Sequence, residues 1–165
     1  RLGAPVTVRL YPVHEYPGFV CPMPGISLDN PDLPLGEALT VYETDPSLLA
    51  FAPVTDCTIR QTYSTSVFRS LCPVTGQPDL ASVLITYEGR PIDPASLLKY
   101  LVSYRCHRGF HEQCVEQIFH DLRQAFAPKL LEVYACFTRR GGIDINPFRS
   151  SERTEPEEIL REMRQ

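Results

Sequence analysis

The stretch "DCTIRQTYSTSVF", residues 56–68, is dense in β-branched and aromatic side chains and holds neither glycine nor proline. A run of this kind suits a pleated, half-buried surface, so it predicts one long strand. "ASVLITYEG", residues 81–89, predicts a second, and the two are joined by a short loop that carries Cys72. The hairpin they form is the first fixed point of the fold.

Two helices are expected next. At "IDPASLLKYLVSYRCHRG", Asp93 is placed to cap a helix whose first-turn Pro94 gives up no hydrogen bond. Leu97, Leu98, Leu101 and Val102 recur at helical spacing, and Gly109 marks the expected end. "HEQCVEQIFHDLRQAF" then carries Val115, Ile118, Phe119, Leu122 and Phe126 on one face, with Pro128 closing it. "KLLEVYACFTRR" alternates as a strand, and "GGIDINPF" predicts a short final one. The order is β-β-α-α-β-β, an α+β fold with an antiparallel sheet and two helices on one face.

Elsewhere the pattern is weaker. Nine of the sixteen prolines precede residue 54, and "CPMPGISLDNPDLPLGEA" reads as loop or linker. "PVTVRLYPV" reads as a strand and "ALTVYE" as a weaker one, while the charged "SERTEPEEILREMRQ" predicts a surface helix or a disordered tail. The chain opens on Arg1, not methionine, which predicts a cut or processed chain.

Charge and cysteines narrow the function. A net charge of −4 argues against nucleic acid, because neutralising many phosphates needs a concentrated excess of Lys and Arg. No apolar run is long enough to span a membrane. The six cysteines, at 21, 57, 72, 106, 114 and 136, form no tight framework and follow no secretion signal. They read as free thiols in a reducing cytoplasm. "CHRGFHEQC" gathers Cys106, His107, His111 and Cys114, but no Cys-x-x-Cys occurs and the four sit on adjoining helix ends, so no metal is expected.

Cys72 stands apart. It lies at a strand end in a loop stiffened by Pro73 and Pro78, with Asp79 closing the loop. The bland reading is an inert buried thiol, the chemical one a nucleophile with a proton carrier. A carboxylate raises a neighbouring thiol pKa, so Asp79 fits a proton donor better than a base. His111 and Glu112 open the second helix, where an acid already suits the dipole. A carboxylate there equally suits adjacent N–H donors of a flat heterocycle. "TRRGG" places Arg139 and Arg140 before two glycines, either an ordinary turn or a phosphate clamp.

Taken in order, "LCPVTGQPD", "SYRCHRGFHEQCVEQIFHDL" and "FTRRGGIDINPFRS" closely resemble the NADPH-dependent nitrile reductases of the queuosine pathway. These are the 7-cyano-7-deazaguanine reductases of the tunnelling-fold superfamily, and the likeness runs from about residue 55 to 150. It implies that Cys72 attacks the nitrile carbon to give a thioimide and that Asp79 supplies the proton. It further implies that two NADPH complete the reduction to 7-aminomethyl-7-deazaguanine. Glu112 would hold the deazaguanine edge with His111 beside it, and Arg140, Gly141 and Arg139 would meet NADPH.

The chain departs from single-module members at the start of the first helix, where "DPASLLKYL" replaces an "ESKS"-like segment. Two-module members make the same substitution in their second half. Residues 1–20 are therefore expected to be the remnant of a first module, 21–54 a proline-rich linker, 55–150 the catalytic module and 151–165 a charged tail. A homo-oligomer and an N-terminal module absent from this chain are the expected partners, since such sheets close by association. The rival expectations are a zinc-dependent cyclohydrolase-like enzyme and a non-catalytic assembly module.

Overall fold

The computed structural model describes residues 23–30, 32–35, 39–53, 57–162 and 165. The expected strand at "PVTVRLYPV" and the proposed module remnant at 1–20 lie outside them. Among the described residues a six-stranded sheet carries two helices. β1 (Ile26–Ser27) edges β2 (Ile59–Leu71), which pairs with β3 (Pro78–Gly89), β4 (Leu130–Arg140) and β5 (Ile143–Ile145) in that order. β6 (Phe148–Ser150) also pairs with β4. α1 (Pro94–Val102) and α2 (His111–Phe126) fall between β3 and β4. The β-β-α-α-β-β order holds, with two additions. The final strand is split into β5 and β6, and β1 joins in parallel, so the sheet is mixed and not purely antiparallel.

Alternation along the strands builds the core. Tyr63, Phe68, Ala81, Val83, Ile85, Tyr87, Leu131, Val133, Ala135 and Phe137 face the helices and pack on Leu97, Leu101, Val115, Ile118 and Leu122. One position breaks the alternation. Thr65 pairs with Val83 but Phe68 with Ala81, so β2 carries a bulge of one extra residue. Phe68 therefore turns inward, 1% exposed, while Val67 is 40% exposed.

The helices begin as the sequence predicts. Asp93 Oδ1 accepts the Ala95 N–H at 3.1 Å, a cap of about 1 kcal/mol. α1 stops at Val102, short of the expected Gly109, and tightens into a 3-10 turn over Ser103–Cys106. Ser103 Oγ takes the Tyr100 carbonyl at 2.6 Å, competing for an acceptor that the continuing helix needs. Between the helices lies a buried polar knot. Tyr100 Oη donates to Asp121 Oδ2 at 2.7 Å, Gln117 Nε2 donates to Oδ1 at 2.7 Å, and the Tyr104 hydroxyl meets that of Tyr100 at 2.9 Å.

Two segments differ from expectation. "ALTVYE" is not a strand over its described residues 39–43. It runs beside the 3-10 turn, where Tyr42 O accepts the Cys106 N–H at 3.0 Å. Among its described residues, 151–162 and 165, the tail forms no helix and packs on the sheet. Its irregular chain crosses the sheet face opposite the helices, with Leu160 buried against Tyr134 and Cys136. Arg153 grips the buried Glu132 with two bonds, Nε to Oε1 at 2.5 Å and Nη2 to Oε2 at 2.6 Å. Described parts of the proline-rich stretch also pack on the module, with Leu28 fully buried and Asp29 accepting from Thr65 Oγ1 at 2.5 Å.

Candidate active site

The loop between β2 and β3 wraps the Cys72 sulfur in donors. Cys72 N–H donates to Gln77 O and Gly76 N–H to Cys72 O, both at 2.9 Å, closing the loop on itself. The Thr75 hydroxyl and the backbone N–H groups of Thr75 and Val74 point at the sulfur. These donors favour the thiolate, with the Arg140 charge a smaller aid, and lower the thiol to about 7. Cys72 is half-buried and open to solvent, whereas burial pushes the sealed Cys114 up to about 11.

Asp79, paired with Ser70 across the hairpin, points to the helix face and is 2% exposed. Its carboxylate meets His111 and Arg140. Oδ2 lies 3.3 Å from His111 Nε2, and Oδ1 accepts from Arg140 Nη2. The first residue of α2 reaches Asp79 because its ring lies flat on Phe137, 4.0 Å between centroids and 7° from parallel. Burial lowers the His111 pKa against the opposing pull of Glu112, which favours the neutral imidazole. Glu112 itself is exposed on the first turn.

Arg140 reaches Asp79 through a second bulge. Phe137 pairs with Ile145 but Arg140 with Ile143, one residue more on β4 than on β5. Strict alternation from Phe137 would turn Arg139 toward the helices. The extra residue turns Arg140 there instead, and Arg139 Nε bonds Asp144 at 2.6 Å. Gly141 and Gly142 follow with φ of 58° and 80°, a two-residue turn open only to residues that tolerate left-handed backbone. Nothing lies within 4 Å of where either side chain would stand, so the backbone there is open to close approach.

Thus Cys72, Asp79, His111 and Arg140 share one rim, with Glu112 and Gly141 at its margin and Arg139 turned aside. Two participants escaped the sequence reading. Phe137 looked like one more core residue in an alternating strand. Arg108 lay in a basic cluster; its backbone bridges Leu71, and its guanidinium sits 3.6 Å from where a side chain on Gly76 would stand. The "CHRGFHEQC" residues diverge: Cys106 is exposed, Cys114 is buried, and His107 Nδ1 meets Thr44 Oγ1 at 3.2 Å. Among the described residues no three His, Cys, Asp or Glu side chains converge as a metal site, and no helix is long and apolar enough to cross a membrane. Two hollows among the described residues, of about 380 and 110 Å³, lie under the tail on the opposite face. They contain none of the rim residues, so the donors around Cys72 weigh more than cavity size in locating the chemistry.

Comparison with known proteins places this geometry. Residues 78–156 match the family model described as QueF-like protein. The chain is 51% identical over 150 residues to an NADPH-dependent 7-cyano-7-deazaguanine reductase of Burkholderia thailandensis, and 50% identical over 150 residues to the Burkholderia vietnamiensis protein of that name. Each match takes in 90% of this chain but 53% of the relative, so the chain spans about half the length of the curated relatives it matches. The crystal structure of the archaeosine synthase QueF-Like in the apo form shares the fold, with a TM-score of 0.52 at 18% identity over 62% of this chain and 100% of that one. The α+β sheet with its paired helices thus shares its fold with a QueF-like tunnelling-fold protein, and residues 78–156 are similar to the QueF-like family.

Proposed function

We propose that this chain is the catalytic module of a reductase that converts 7-cyano-7-deazaguanine to 7-aminomethyl-7-deazaguanine in the cytoplasm. The carrying observation is a thiol lowered to about 7, aided by the same Arg140 that bonds the buried Asp79 carboxylate, on a chain that is 51% identical to reductases of that name. The Cys72 thiolate adds to the nitrile carbon while the nitrile nitrogen takes a proton, giving a thioimide. Sulfur capture turns a poor hydride acceptor into a better one. Two NADPH would each supply one hydride: after the first reduces the thioimide, the C–S bond breaks to return the Cys72 thiol and leave an imine, and the second hydride with a proton gives the amine.

The Asp79–His111 contact holds the proton at the rim, and Asp79 passes it to the nitrogen. Arg140 restrains this, since a guanidinium on Asp79 favours the carboxylate. Moving Arg140 toward a cofactor phosphate would free Asp79 to carry a proton. The open Gly141–Gly142 turn beside Arg140 and Arg139 fits such a phosphate. Glu112 would accept the N–H donors of the heterocycle's edge.

Cys72 is partly exposed, Glu112 is exposed and the Gly141–Gly142 turn is open, which favours an assembly that walls the site. The N-terminal module expected from the relatives' length, and further copies of the chain, are the proposed partners. Residues 1–20 would be the remnant of that module, 21–54 a linker whose described residues pack in part on the module, and 151–165 a charged tail whose described residues strap its far face. The test is turnover: NADPH oxidation dependent on the nitrile, lost in Cys72→Ala. Nitrile-independent oxidation, or full rate in that variant, would reject the reading.

A further inference from the structure

Gln165 sits on the sheet face away from the cysteine loop, yet it grips the strand that carries the site. Its Nε2 donates to the Phe137 carbonyl at 3.0 Å and to Asn146 Oδ1 at 2.7 Å. Its Oε1 accepts the Glu162 N–H at 3.0 Å, so all three bonds use one planar amide. Phe137 is the last residue in register before the β4 bulge, and Asn146 directly follows β5. The amide therefore staples the two ends of the irregular arm whose tip is the Gly141–Gly142 turn. The tail is seated for this: Leu160 is buried, its carbonyl accepts from Asn146 Nδ2 at 3.4 Å, and Glu162 bonds the Ser82 hydroxyl.

The register matters because side chains alternate. A bulge interrupts the ladder and leaves backbone groups that need other partners. A slip of one residue exchanges the faces of the following side chains. On this arm, such a slip would return Arg139 to the helix side and remove Arg140 from Asp79.

We propose that Gln165 is a positioning residue whose carboxamide holds the β4–β5 arm in its bulged register, so that Arg140 faces Asp79 and Phe137 stays under His111. Only the cofactor readout below rests on the reductase reading; the register does not.

The test uses Gln165→Ala and Gln165→Glu in the intact protein. The second is nearly isosteric and keeps the acceptor for Glu162 but loses both donors. The His111 side chain is titrated by nitrogen NMR. Asp79 from β3, Arg140 from β4 and Glu112 on α2 are the charged groups that act on it. Both variants should raise the pH at which His111 titrates, because Asp79 without Arg140 holds the imidazolium more strongly. Both should raise the KM for NADPH about fivefold, as expected for a lost hydrogen bond, with a smaller change in kcat. Cys72 alkylation within about twofold of the unaltered protein, on the same scale, checks that the fold persists. The proposal is overturned if His111 titrates unchanged in both variants, or if only Gln165→Ala shifts it, which would mark simple packing. If the unaltered protein oxidises no NADPH with the nitrile, the reductase reading falls, and the His111 titration still decides the role of Gln165.

Discussion

Arg140 bonds Asp79 across two strands, from a position 61 residues further along the chain. The pairing exists because a bulge in β4 shifts its alternation by one residue, while β3 keeps its alternation from Tyr87 to Asp79. Buried at 2% exposure, Asp79 meets a guanidinium on one oxygen and an imidazole on the other. The site is in this sense a product of sheet irregularity, set where strands leave regular pairing.

The thiol should titrate near neutrality. The rate of Cys72 alkylation by iodoacetamide is expected to rise with pH through an inflection at about 7, since the thiolate is the reactive form. Thr75→Val removes the leading donor and should move that inflection upward. An unmoved profile would assign the lowering to another cause.

Asp79→Asn separates proton delivery from sulfur chemistry. Turnover should fall on the order of 10²- to 10⁴-fold, the usual contribution of a positioned acid. Alkylation of Cys72 should persist, because its donors come from its own loop. Parallel loss of both would show a damaged loop instead.

Gly109 is a packing requirement. A side chain there would stand 2.8 Å from His107 Nε2 and 3.5 Å from Cys114 Sγ, just ahead of α2. Gly109→Ala should cost about 1–3 kcal/mol in denaturant unfolding, the usual range for overpacking. It should also displace His111, two residues on. Unchanged stability would mean that the His107 ring swings away freely.

The Glu132–Arg153 pair ties the tail to the sheet with a pH signature. Burial raises the Glu132 pKa, but the bonds from Arg153 and Ser150 outweigh it and hold the group below its ordinary 4.5. Folded Glu132 thus binds a proton less readily than unfolded Glu132. Its stabilisation is present above about pH 4.5 and is lost as pH falls through the folded value. Arg153→Met should therefore destabilise by about 2 kcal/mol at neutral pH. Unfolding curves of the two proteins should converge in acid; a constant gap would contradict the assignment.

Much of the scaffold was legible in the sequence. Long periodic runs gave β2, β3, α2 and β4, and the Asp93–Pro94 start of α1 followed from cap chemistry. Cys72, Asp79, His111 and Arg140 stood out by residue type and converge in the structure. The bulges did not stand out, because an extra residue leaves no mark in a β-rich run. Arg140 therefore could not be distinguished from Arg139, nor Phe137 from the rest of its strand. The tail misled because its charges hide the one leucine that anchors it and the arginine that meets a buried glutamate. "ALTVYE" misled in the opposite way: it alternates, but it lies beside a helix turn that takes its carbonyl.

The direct test of the whole account is intact-mass spectrometry of the protein mixed with 7-cyano-7-deazaguanine in the absence of NADPH. The account predicts a one-to-one adduct of the nitrile's full mass, located on Cys72 and absent from Cys72→Ala. An unmodified protein, or an adduct that survives in that variant, would contradict it.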